Sequence, residues 1–80
     1  MNVYDRVRNI ITEVLPTDRA LVEINSSIRD DLSATSLEIV TLSLALEDEF
    51  GSTITDQDLS QFRTVKDIVD YIEAQKLFWA

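Results

Sequence analysis

The chain contains no cysteine and no histidine. Without cysteine it can build no disulfide framework, no thiolate zinc site and no catalytic thiol of its own. Without histidine the usual base for a serine nucleophile is missing, as is imidazole acid–base chemistry near neutral pH. One glycine and one proline in 80 residues argue against a turn-rich β design and against a flexible linker. No apolar run approaches the ~20 residues of a membrane-spanning helix. Residues 1–8 show no apolar stretch of the secretory-signal type. These absences predict a single domain over residues 1–80, soluble, in a reducing cytoplasmic setting.

Basic residues are missing from the middle of the chain. Residues 30–62 hold Asp30, Asp31, Glu38, Glu47, Asp48, Glu49, Asp56 and Asp58 with no lysine or arginine. Acids and bases balance on either side, so the whole net charge of −8 falls in this segment. Phosphate backbones and anionic lipid surfaces are repelled by such a chain, which disfavours nucleic-acid and membrane-surface binding. An acidic surface can serve solubility alone. Its concentration in one segment favours a docking face for basic partners.

What is present is helical periodicity. Val3, Val7, Ile10, Ile11, Val14 and Leu15 form one apolar stripe at helical spacing, and Pro16 stops that helix. Residues 16–34 read as a long loop, with Leu21, Ile24, Ile28 and Leu32 expected to pin it over the core. Thr35-Ser36-Leu37-Glu38 is a capping box ahead of a helix that runs to Phe50 and ends at Gly51. Asp56 is placed to cap a short helix through Leu59 to about Phe62. Thr64 opens the last helix, with Asp67 three residues on and Val65, Ile68, Val69 and Ile72 on its apolar face. The apolar tail Leu77-Phe78-Trp79 is expected to pack back on the bundle. The prediction is an all-α fold: a small four-helix bundle, three main helices plus one short one, with a long loop after the first helix.

The central helix has two apolar stripes where one suffices for a core. Ile39, Leu42, Leu46 and Phe50 form the longer one and are assigned to the core. Leu37, Val40 and Leu44 form the second. Either the long loop covers it, or it meets partners inside a ring of acids, the usual anatomy of an interface. Ser36 would be the first residue of this helix, where free N–H groups and the helix dipole favour a phosphate on its hydroxyl. Serine is also common at helix starts for capping reasons alone. Asp56 and Asp58 invite an EF-hand reading, but Gln61 stands where glycine is required and Asp67 where glutamate is, so calcium binding of that type is rejected. No metal site is expected, and no acid–base pair marks an enzyme.

Asp31-Leu32-Ser33-Ala34-Thr35-Ser36-Leu37 resembles the D-L-G-x-D-S-L attachment motif of the acyl carrier protein family. The resemblance continues through Val40, Leu42, the run Ala45-Leu46-Glu47-Asp48-Glu49-Phe50-Gly51, Ile54 and Asp56, and closes with Thr64-Val65 and Asp70-Tyr71-Ile72. It implies a carrier, not an enzyme, with 4′-phosphopantetheine, derived from coenzyme A, attached to Ser36 between Thr35 and Leu37; a monomer is expected. Acyl intermediates would ride on that arm as thioesters. A chain without cysteine needs such a borrowed thiol. The resemblance also implies partners: a phosphopantetheinyl transferase, and acyl-transferring or condensing enzymes with basic patches. Glu38, Val40, Thr41, Leu44, Glu47, Asp48, Ile54 and Asp56 match the family's partner-recognition positions. The pattern departs at Ser33 for glycine, at Thr35 for aspartate and at Thr41 for an acid. These departures point to a specialised discrete carrier in fatty-acid, polyketide or another lipid pathway. An aminoacyl or peptidyl carrier, or an unmodified acidic adaptor, are the alternatives.

Overall fold

The computed structural model describes residues 2–75, and the expected packing of Leu77-Phe78-Trp79 lies outside them. The described residues form four α-helices and no β-sheet. Helix α1 spans Val3–Val14, α2 Ser36–Phe50, α3 Asp56–Ser60 and α4 Val65–Gln75. A 3-10 turn, Arg19–Leu21, lies in the long connection after α1. Helix α1 packs against both α2 and α4. The bundle predicted from periodicity is the bundle observed.

Each long helix is explained by its own residues. In α1, Val3, Val7, Ile10 and Ile11 are buried, and Asn2 accepts the Asp5 N–H at 2.8 Å as N-cap. Leu15 is buried and extended, φ −98 and ψ 143, as a residue before proline must be. In α2 the stripe Ile39, Leu42, Leu46 and Phe50 is buried. Its capping box is complete: Thr35 Oγ1 accepts the Glu38 N–H at 3.1 Å, and Glu38 Oε1 accepts the Thr35 N–H at 2.9 Å. Gly51 ends the helix in the left-handed conformation at φ 67, which a side chain would disfavour. In α4, Val65, Ile68, Val69 and Ile72 are buried as the pattern predicts. Because Thr35 holds both halves of the box together, Thr35→Ala is expected to cost about 1 kcal/mol, read as a lower urea midpoint. Thr35→Asp, which keeps the acceptor, is expected to leave the midpoint nearly unchanged.

The short helix begins one residue earlier than expected. Thr55, not Asp56, is the N-cap: its hydroxyl accepts the Asp58 N–H at 3.1 Å, and Asp58 closes a second capping box onto the Thr55 N–H. The helix ends at Ser60, and Phe62 drops into the core beyond it. Tyr71 donates to Asp58 Oδ2 at 2.9 Å and ties α4 to this cap. The hydroxyl and N–H of Thr55, then the Tyr71 hydroxyl, hold the Asp58 carboxyl below its ordinary range. A carboxyl lowered in the fold contributes stability above its unfolded pKa of about 3.9 and loses it as pH falls through the folded value. Asp58→Asn is therefore expected to flatten the fall in stability between pH 5 and pH 2, measured as urea midpoints across that window. Tyr71 moves the other way. Burial and the bond to Asp58 raise its pKa, so its contribution is present below about pH 10 and is lost as pH climbs through the raised value.

The long connection is pinned, though by a different set of residues than expected. Ile28 and Leu32 are buried, but Leu21 is 57% exposed and Ile24 is 36% exposed. Val22 and Ala34 take their place in the core. The reason is local. The buried Ser26 hydroxyl donates to Leu21 O and accepts the Glu23 N–H, closing a turn that points Val22 inward. Further along, Ser27 and Thr64 form an isolated antiparallel bridge, and the Ile28 N–H donates to Arg63 O at 2.9 Å. This staples the loop to the entry of α4. Ser33 then adopts φ 57, a left-handed conformation unusual for a residue with a side chain. It is held there by flanking bonds from Leu32 N–H to Ser27 O and from Ala34 N–H to Ile28 O.

Candidate carrier site

The stapled loop delivers the chain to α2 in one register, and Ser36 is its first helical residue. Its side chain is exposed. Thr35 Oγ1 satisfies the Glu38 N–H, and Thr35 O accepts from Ile39. The N–H groups of Ser36 and Leu37 therefore have no acceptor within the helix. An exposed hydroxyl beside two open donors at the positive end of a helix dipole suits a phosphodiester. The chain has no thiol of its own to offer there. A phosphopantetheine group would supply a mobile thiol, and an exposed hydroxyl placed as that of Ser36 would be the residue to hold it.

The second stripe of α2 is not covered by the loop. Leu37 is 76% exposed, Val40 46% and Leu44 60%. Between the two stripes Ser43 is buried and donates to Val40 O at 2.7 Å. The acids around the stripe are not equivalent. Glu38 is half-buried and committed to the cap. Glu47 is half-buried and accepts the Ile54 N–H at 2.8 Å. Glu49 pairs with Arg6 at 2.7 Å, and the Arg6 guanidinium lies 4.5 Å from the Phe50 ring centre. Asp48, Asp56 and Thr41 are exposed, with the Thr41 hydroxyl turned to Leu37 O. Ile54 is buried at 9% exposure, so it supports the 51–55 loop from inside the core. The structure thus gathers Ser36, Leu37, Val40, Thr41, Leu44 and Asp48 along α2. Asp30, Asp48 and Asp56 make no ion pair among the described residues. Added salt or millimolar magnesium is expected to raise the melting temperature by screening this segment. An unchanged temperature would mean that its repulsion is negligible.

One feature is invisible to periodicity. A cavity of about 320 Å³ lies between the long loop, α2 and the end of α3, with Arg29 and Arg63 on its wall. These residues are far apart in the chain, and backbone bonds between the loop and the entry of α4 help bring them together: Ile28 N–H to Arg63 O, Val65 N–H to Ser26 O and Lys66 N–H to Ile24 O.

The described residues form a small acidic helix bundle with an exposed serine at the start of its central helix and an exposed apolar stripe running away from it. Comparison with known proteins shows the class to which it belongs. A family model described as "Phosphopantetheine attachment site" matches residues 5–72. The chain is 41% identical over 76 residues to the acyl carrier protein of Chlamydia caviae, covering 95% of this chain and 99% of that one. It is 41% identical over 73 residues to the acyl carrier protein of Campylobacter hominis, covering 91% and 92%. It is 40% identical over 76 residues to the acyl carrier protein of Helicobacter hepaticus, covering 95% and 100%. The chain belongs to the acyl carrier protein family, whose domain carries covalently attached 4′-phosphopantetheine, and it is a carrier rather than an enzyme.

Proposed function

We propose that Ser36 is the residue that carries 4′-phosphopantetheine, and that the chain holds acyl intermediates as thioesters on that arm for partner enzymes. The observation behind this is the exposed Ser36 hydroxyl at the start of α2, beside the open N–H groups of Ser36 and Leu37. The partners are a phosphopantetheinyl transferase, then acyl-transferring or condensing enzymes of a lipid or polyketide pathway. They meet Leu37, Val40 and Leu44, with Thr41, Asp48 and Asp56 offering polar and acidic contacts at the rim. An apolar centre inside a polar rim is how such interfaces are built. Glu38 and Glu47 serve the recognition face indirectly, by fixing the helix cap and the Ile54 loop. Thr35 in place of the motif's aspartate removes a charge beside the attachment point. A dedicated or broad-specificity transferase, and a specialised pathway, fit that change. The carrier is proposed to act as a monomer in the cytoplasm, and with no cysteine of its own it depends on the arm for a thiol.

The test is intact-protein mass after incubation with coenzyme A and a broad-specificity transferase, followed by peptide mapping. One phosphopantetheine, mapped to Ser36, is expected. No addition under conditions that load a control carrier would favour the unmodified adaptor.

A further inference from the structure

The cavity beside α2 has a chemistry that an acyl chain alone does not require. Its floor is apolar, with Ile39 at 5% and Phe62 at 8% exposure and Leu59 half-buried. Its wall carries Arg29 and Arg63. Neither guanidinium makes an ion pair or side-chain hydrogen bond among the described residues. Asp30 lines the same cavity without bridging to either arginine. These two cations stand at the two boundaries of a segment, residues 30–62, that otherwise contains only acids. Chain position does not explain their meeting. The Ser27–Thr64 bridge and the Ile28 N–H to Arg63 O bond set their backbones side by side.

Two exposed cations lining one cavity, neither with a side-chain partner among the described residues, suit a carboxylate. Arginine pairs with carboxylates through two parallel N–H donors, which adds geometry to charge. The volume, about 320 Å³, is at the low end of small-molecule pockets. Ile39 lies one helical turn beyond Ser36, so the cavity opens close to the attachment point. The geometry points to a preference in cargo: this groove receives a short acyl group that ends in a carboxylate, with the chain on Ile39 and Phe62 and the carboxylate on Arg29 and Arg63. A separate acidic protein is the weaker occupant, because the surrounding acids would repel it. Cargo tethered at Ser36 arrives at high effective concentration despite that repulsion. The inference rests on attachment at Ser36 for delivery, while the groove itself can be examined without it.

The unloaded chain is titrated with glutaryl-pantetheine and, separately, with valeryl-pantetheine, a neutral acyl group of the same length. Backbone amide and arginine Nε–H signals are followed by NMR. Glutaryl is expected to shift the Arg29 and Arg63 side-chain signals and to bind about fivefold tighter than valeryl. The double variant Arg29→Gln, Arg63→Gln is expected to bring that ratio to one. Both side chains are exposed, so its amide spectrum should otherwise match the parent. Equal affinity for the two ligands, or a preference that survives the double substitution, would overturn the inference. Loading the chain with the same two groups from their coenzyme A thioesters separates the two readings. Failure to load at Ser36 removes the attachment reading and leaves the titration to decide the groove. Successful loading without a glutaryl preference in the titration removes the groove reading alone.

Discussion

Replacing Ser36 with alanine is expected to abolish phosphopantetheine uptake entirely and to leave the fold intact. The two halves of that outcome have separate causes. Attachment at Ser36, as proposed, needs the hydroxyl that alanine removes, and the neighbouring Thr35 hydroxyl is engaged by the Glu38 N–H. Stability does not need Ser36, because the cap is Thr35 and the Ser36 side chain is exposed. Alanine is also the best helix former, so the melting temperature should hold or rise by about a degree. Intact mass and thermal denaturation on the same sample check both halves. Uptake that persists in the variant would move the attachment to another hydroxyl. A large loss of stability would mean that Ser36 has a structural role not visible in its contacts.

Leu46→Ala is expected to be a severely damaging truncation on α2. Leu46 is fully buried, on the stripe that faces the core. Removing its side chain should cost about 3 kcal/mol in transfer and cavity terms. For a domain of this size, that lowers the melting temperature by about 12–24 °C. It is a large part of the total stability of an 80-residue fold. Leu44→Ala, two residues away but 60% exposed, is the control. It should change stability by no more than about 0.5 kcal/mol. Any loss it causes should appear in partner binding. Similar melting temperatures for the two variants would show that the stripes of α2 have been assigned to the wrong faces.

The legible parts of the fold are those written in short-range code. The α1 stripe, the Thr35–Glu38 box and Gly51 each lie within a few residues of what they determine, and each is readable directly. The two stripes of α2 are readable as well, but not which of them stays open, because that depends on where the distant loop runs. Thr55 and Asp56 are both capping residues. An aspartate three residues after Thr55 is the deciding signal, a capping box with a shorter acid. In the long loop, apolar character alone favours Leu21 and Ile24 over Val22 and Ala34. The turn closed by Ser26 has no periodicity to reveal it. The placing of Arg29 and Arg63 on one cavity depends on backbone bonds between segments far apart in the chain, and no local pattern encodes it. The same limit applies to the acids: charge can be counted from composition, but the bond that the Ile54 N–H donates to Glu47 cannot be read there.

At Ser33 the backbone geometry is held by neighbours instead of by the residue itself. Its left-handed conformation costs a residue with a side chain about 1 kcal/mol, which a glycine would avoid. The cost is offset by the bonds from Leu32 and Ala34 to Ser27 and Ile28, on the far side of the turn. The bend ahead of the serine therefore belongs to the loop as a whole, and it forms here without a glycine at position 33. A search keyed to glycine at that place would pass over chains whose backbone makes the same turn.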